Sequence, residues 1–286
     1  MPIPINTSRS VIDEKTLAKE KEVIANEINW YLTTQGPVVV EELITKLKGA
    51  LTYIHFKNEA NVADSLTLAV TSSNCDTLKG FITVNDIYVT KGELSIKFPH
   101  YNRGNVVKTT FSPKEPHCLY QLQDVYNHIH KIIEILEHYK LKTYTLEQLN
   151  DLIKQTIMFL KKIKFIMSQK EENYVFPYRC NPKNFTPELP SDFVVEFYIN
   201  MSNIVVAIFN ISSSHSSQHQ FSSKIIGRVK TIKSGNHLSN NKINPSNEII
   251  VECPSPNLLK FNKLMNDIYD IANNCQYKLK IFLEKQ

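Results

Sequence analysis

Glycine is scarce in this chain, with 7 in 286 residues against 28 acidic and 33 basic side chains. Phosphate cradles and tight catalytic turns depend on glycine, because a residue without Cβ takes positive φ freely and lets the backbone approach a ligand. No G-x-x-x-x-G-K-[ST] loop, G-x-G-x-x-G fingerprint, G-x-S-x-G elbow or kinase-like set is present, so the common nucleotide and nucleophile signatures are missing as well. Cysteine is also sparse. The five residues Cys75, Cys118, Cys180, Cys253 and Cys275 are odd in number, far apart and form no C-x-x-C pair, which reads as free thiols in a reducing compartment rather than zinc ligands or a redox couple. The charge excess is small. A formal +5 and a pI near 8.7 fall short of the basic stripe that a committed nucleic-acid binder carries. Long apolar runs are absent: the longest is Ile204 to Phe209, and "MPIPINTSRSVIDEK" has no apolar core for a secretory signal. The expectation is a cytoplasmic chain with no transmembrane segment, in which the sequon Asn210-Ile211-Ser212 is accidental.

What is present is periodicity. Hydrophobic content of 42% suffices to bury a core at this length. Leu17, Ile24, Ile28 and Tyr31 form the stripe of an amphipathic helix, and Val40, Leu47, Leu51 and Ile54 form another after Gly36-Pro37, where the spacing predicts a break or kink. Leu119, Leu122, Tyr126, Ile129, Ile133 and Leu136 step by three and four, as do Leu146, Leu149, Ile153, Ile157 and Leu160 after a capping box at Thr145 and Gln148. The last stripe runs Leu258, Phe261, Met265, Ile268, Ala272, Cys275, Leu279, Phe282 behind the stop Pro254-Ser255-Pro256.

Between these helices the period changes to two. Leu94, Ile96 and Phe98 alternate with Glu93, Ser95 and Lys97, in a region read as strands separated by turns at Asn85-Asp86 and Lys91-Gly92. Residues 174–190, rich in Pro, Asn and Tyr, predict an irregular crossing. Phe193 to Ile199 and Ile204 to Ile211 then predict a hairpin apolar on both faces. Lys224 to Ile232 and Glu248 to Cys253 read as further strands, flanked by polar low-complexity tracts at 212–223 and 234–247. The simplest solution joins the helices into one bundle and leaves the strand-rich stretches to meet as a single sheet.

Residues that could carry chemistry have plainer readings. His128 and His130, two apart on a helix, point to different faces and share no ion easily, and His215 and His219 stand in a serine-rich tract without a Glu partner. Asp192, after Ser191 and ahead of a strand, reads as an anchor of its own turn through nearby backbone N–H groups. Lys161, Lys162 and Lys164 read as a solvated helix end complementing the dipole, with an acidic partner or anionic lipid as the functional reading. No catalytic, cofactor or metal residue emerges.

The order of "NEINWYL", "LKGFI", "QLQDVYNHI" and "LPSDFVVEFYIN" ahead of a terminal heptad helix resembles the Rogdi family, over about Glu22 to Phe282. The most specific fragments are Leu189, Pro190, Ser191 and Asp192 with Tyr198, Ile199 and Asn200, and Gln123-Asp124 followed by Asn127-His128. Gly36-Pro37 and the Ser/His-rich and Asn-rich tracts depart from the pattern. The resemblance implies an elongated α+β molecule with a discontinuous antiparallel helical bundle and a separate antiparallel β domain. The expected boundaries are 1–60, 116–176 and 254–286 for the bundle and 61–115 and 177–253 for the β domain. It further implies a non-catalytic subunit of a RAVE-type complex, which rejoins the peripheral and membrane sectors of the V-type proton ATPase. Such a subunit would bind a large WD-repeat, rabconnectin-like scaffold, a Skp-type adaptor and, indirectly, the peripheral sector, on vacuolar or endosomal membranes. The competing reading is a tether whose Leu258 to Phe282 stripe pairs with a partner helix as a coiled coil.

Overall fold

A computed structural model describes residues 7–54, 65–72, 76–99, 101–112, 114, 116–139, 144–168, 176–211 and 248–285. The chain divides into two compact units. One comprises Met1–Thr52, Tyr126–Lys164 and Phe261–Gln286, and the other Tyr53–Val125 and Phe165–Lys260.

The first unit is helical. Helix α1 (Thr7–Trp30) runs through a π segment (Tyr31–Gln35) into α2 (Gly36–Ile54) without leaving helical geometry. The chain does not break at Gly36-Pro37; the irregularity there is the π segment that ends at Gln35, after which the α-helix resumes. Proline has no N–H, and its ring would strike the carbonyl four residues back. One extra residue in the turn moves that carbonyl aside, and the Gly36 N–H donates instead to Tyr31 O, five residues back. Of the predicted α1 stripe Ile28 and Tyr31 are buried and Ile24 half-buried, but Leu17 is 53% exposed: the apolar row outruns its cover.

Helices α3 (Tyr120–Tyr139), α4 (Leu146–Ser168) and α5 (Pro256–Lys285) follow their sequence patterns closely. The Thr145 N–H donates to Gln148 Oε1 at 3.0 Å and the Gln148 N–H to Thr145 Oγ1 at 3.4 Å, so the capping box opens α4 as read. Ser255 caps α5, its Oγ accepting the Leu258 N–H, with Pro256 as first helical residue. The α3 seam is wider than its heptad reading, since Val125, Ile132 and Tyr139 are buried beside the predicted positions and Tyr126 only half so. Along α5 every predicted position from Leu258 to Leu279 is buried, and Phe282 is partly so. Tyr31 ties α5 to the first helices through Cys275 Sγ (3.3 Å) and the Phe282 ring (5.3 Å), while Lys48 on α2 pairs with Glu137 on α3 at 2.7 Å.

The second unit holds two antiparallel sheets where one was expected. Strands β1 (Leu66–Thr71), β2 (Leu78–Asn85), β3 (Tyr88–Ile96), β4 (Val107–Phe111) and β6 (Phe185–Thr186) line up in that order, with β5 (His117–Cys118) also pairing β3. Strands β7 (Phe193–Asn200), β8 (Asn203–Asn210) and β9 (Glu248–Pro254) form the other sheet in sequence order. The predicted strand at 224–232 and the pair His215 and His219 fall outside the described residues. Asn85-Asp86 does mark the β2–β3 turn, with Asp86 at φ 57°. Lys91-Gly92 does not, because both residues sit inside β3, where a Cβ on Gly92 would come within 3.0 Å of Phe81 O. The glycine there marks close strand approach. Gly80, at φ 153°, is more demanding still, since a side chain would collide with Glu93 O.

The two sheets stack because β7 and β8 are apolar on both faces and so need two covers. Phe193 and Phe197 on one face meet Phe98, Tyr101 and Phe111 of the first sheet or its flanking turn at ring distances of 4.6 to 5.5 Å. On the opposite face Val194, Ala207 and Phe209 pack beneath Phe176 and Tyr198. A single merged sheet would leave one of these faces bare.

Candidate functional site

The family-like segments lie at the two ends of the β7–β8 hairpin, Leu189 to Asp192 at its open end and Tyr198 to Asn200 at its turn. Leu189 is buried, and the turn that follows is closed by the Phe193 N–H donating to Pro190 O at 2.9 Å. Asp192 anchors this turn differently from the expectation. Its main-chain carbonyl accepts the Ile211 N–H at 2.8 Å, tying the two strand ends together, and its carboxylate accepts from the Ser191 hydroxyl at 3.4 Å. Tyr198 stacks on Tyr178 with centroids 5.8 Å apart. Its hydroxyl is pushed up to about 12 by burial first and then by the charges of Glu196, Glu248 and Glu252.

Ile199 and Asn200 are held by polar side chains from elsewhere in the unit. The Gln121 amide of α3 treats Ile199 as a strand neighbour would. Its Oε1 accepts the Ile199 N–H at 2.6 Å, and its Nε2 donates to Ile199 O at 3.0 Å and to Ile166 O of α4 at 2.8 Å. One buried amide thus joins two helices to a strand. Asn200 and Asn203, the residues flanking the two-residue turn, donate to opposite oxygens of Glu252 on β9, at 2.9 and 2.6 Å. That carboxylate clamps the third strand onto the hairpin. Met201 occupies the turn at φ 54° and passes its N–H to Met167 O.

Glu196 is fully buried between these elements, and its Oε1 accepts the Tyr178 N–H at 3.1 Å. The crossing segment is thereby pinned to β7, aided by the Cys180 N–H donating to Val195 O at 2.8 Å. Burial, with the Glu196 charge second, raises the Cys180 thiol well above its ordinary range. His117 is half-buried against the Phe197 ring at 5.7 Å, and its enclosed Nε2 has no hydrogen-bond partner among the described residues. Desolvation pulls its pKa down to about 4, which keeps the ring neutral.

Sequence reasoning singled out Leu189 to Asp192 and Tyr198 to Asn200 but not the side chains that hold them. Gln121 opens the "QLQDVYNHI" fragment without an apolar-period signal, and Glu196, Asn203 and Glu252 gave none. His128 faces Phe159 at 5.8 Å and His130 faces Tyr126 at 4.2 Å. Among the described residues no three His, Cys, Asp or Glu side chains gather as a metal site, and no helix is long and apolar enough to cross a membrane. Lys161, Lys162 and Lys164 are exposed, yet α4 continues to Ser168 with no basic residue in its last turn, so they do not cap the dipole as expected.

The fold and this polar seam define an α+β protein with a helical bundle and stacked antiparallel sheets, in which the buried Gln121 and Glu196 hold backbone and the exposed Glu252 holds the hairpin's asparagines. Residues 27–268 match the family model described as Rogdi leucine zipper containing protein. "Protein rogdi homolog" of Danio rerio is 24% identical over 201 residues, spanning 67% of this chain and 69% of that one. The Homo sapiens homolog is 22% identical over 209 residues (68% and 69%), and "Protein rogdi" of Drosophila melanogaster is 20% identical over 194 residues (65% and 70%). The chain belongs to the Rogdi family.

Proposed function

We propose that this chain is a non-catalytic subunit of a RAVE-type complex that promotes reassembly of the peripheral and membrane sectors of the V-type proton ATPase through protein–protein binding. The family match over residues 27–268 carries the reading. The disposition of polar groups supports it, since Gln121, Glu196 and Glu252 all spend their hydrogen bonds on the fold. The expected partners are a large WD-repeat, rabconnectin-like scaffold, a Skp-type adaptor and, through them, the ATPase peripheral sector. Its place is the cytoplasm, with peripheral recruitment to vacuolar or endosomal membranes.

The tethering alternative requires an exposed α5 stripe, and burial of Leu258, Phe261, Ile268, Ala272 and Leu279 speaks against it. Purification of the tagged chain from its native cells is expected to bring down a WD-repeat scaffold, and deletion is expected to slow re-acidification after nutrient stress. Normal recovery of acidification in the deletion strain, with no such scaffold in the eluate, defeats the proposal.

A further inference from the structure

The helical unit carries an apolar row on its outside that its own core leaves uncovered. Val23 is 58%, Trp30 51% and Val38 57% exposed. Val23 and Trp30 are seven residues apart, two helical turns less about 20°. Trp30 and Val38 are eight apart, which in an unbroken α-helix would turn Val38 about 80° off the row. The π segment lies between them and inserts one residue, so this eight-residue step behaves as seven and all three side chains share one face. Trp30 is the only tryptophan of the chain. A half-exposed tryptophan on a rigid helix is the residue type and setting of an interface anchor.

Between Val23 and Glu42 the charge along this face has one sign. Between Lys21 and Lys46 the charged residues are Glu22, Glu27, Glu41 and Glu42, with no Lys or Arg among them. Glu27, four residues after Val23 and three before Trp30, sits within the row itself, and no cation comes within ion-pair distance of it among the described residues. Glu42, one turn beyond Val38, meets Lys46 only at 3.9 Å. An acidic ridge of this kind repels an anionic membrane surface, and a second copy of the same face would oppose carboxylate to carboxylate. The ridge is one side chain wide, with apolar residues about 10 Å apart along the axis, which is the spacing of knobs on a single helix laid beside it.

We propose that Val23, Trp30 and Val38, with Glu27 and Glu42 along the same face, form the docking surface for a Lys/Arg-flanked amphipathic helix of a partner protein. The surface is independent of which complex the chain serves, so the test separates the two. A photocrosslinking phenylalanine derivative is placed at position 30 of the full chain in its native cells, and at Tyr277, 68% exposed on α5, as control. The adduct at 30 is expected to map by mass spectrometry to a Lys/Arg-rich helical segment of another protein, and Glu27→Lys to cut its yield at least about fivefold. Circular dichroism of Glu27→Lys and Trp30→Ala is expected to match the parent, because both side chains are exposed. No adduct above the Tyr277 control overturns the surface, as does an adduct to lipid, to a second copy of the chain or to an acidic segment. An adduct to a basic helix outside any WD-repeat assembly supports the surface without bearing on the proposed function. A scaffold that still copurifies with Trp30→Ala, without an adduct at 30, supports the proposed function and overturns the surface.

Discussion

Gln121 concentrates more structural consequence than any residue the periodicity marked. Truncation to Leu leaves the Ile199 N–H, Ile199 C=O and Ile166 C=O without the partner the amide supplies, and each stranded buried group costs about 1–3 kcal/mol. Gln121→Leu is therefore expected to lose at least about 3 kcal/mol in chemical denaturation. Gln121→Glu is expected to fare little better, since it exchanges the donor to two carbonyls for an acceptor. His117 makes the stability depend on pH in a stated direction. Its folded pKa, about 4, lies below the ordinary 6.5, so the unfolded chain binds the extra proton. The contribution is fully present above pH 6.5 and is lost as pH falls toward 4, up to about 3 kcal/mol in all. His117→Phe is expected to narrow the gap between melting temperatures at pH 7 and pH 4.5. An unchanged gap refutes the assignment.

At the level of helices and strands, α5 separates the competing views of the chain. Met265→Asp with Ile268→Asp places two carboxylates in a buried seam, a burden of several kcal/mol against a total stability of about 5–15. Loss of the helical circular dichroism signal is expected. A folded double variant that merely loses a partner would favour the exposed-zipper view. The same elements show what a sequence can and cannot reveal. The Thr145 and Gln148 box, the α5 stripe and the tight turn between β7 and β8 were legible, because each is written in adjacent residues and needs no distant partner. Lys91-Gly92 misled because glycine marks turns and close strand approach alike, and only the facing Phe81 carbonyl distinguishes them. At Gly36-Pro37 proline chemistry calls for a break or a kink, and a local widening of the helix is what answers the clash. The stacking of two sheets rests on Phe193 and Phe197 meeting Phe98 and Phe111 across nearly a hundred residues, which no local pattern encodes. The polar seam was the least legible. Gln121, Glu196 and Glu252 are ordinary surface residue types until the fold encloses or pairs them.

Across the whole molecule the thiols report folding. Burial raises Cys180, Cys253 (to about 11) and Cys275 away from thiolate formation, while Cys118 is only partly covered. An aromatic disulfide reagent at neutral pH is expected to label Cys180, Cys253 and Cys275 only as fast as the chain unfolds; rapid native labelling of Cys180 contradicts its enclosure. The helical unit draws on Met1–Thr52, Tyr126–Lys164 and Phe261–Gln286, so its parts are interleaved along the chain with those of the other unit. For genetics this means that a lesion's position says little about where its damage appears. A premature stop just after Lys260 would spare every strand described here, yet strip Tyr31 of Cys275 and Phe282 and so injure residues translated first. Late nonsense alleles should then behave as complete losses of function.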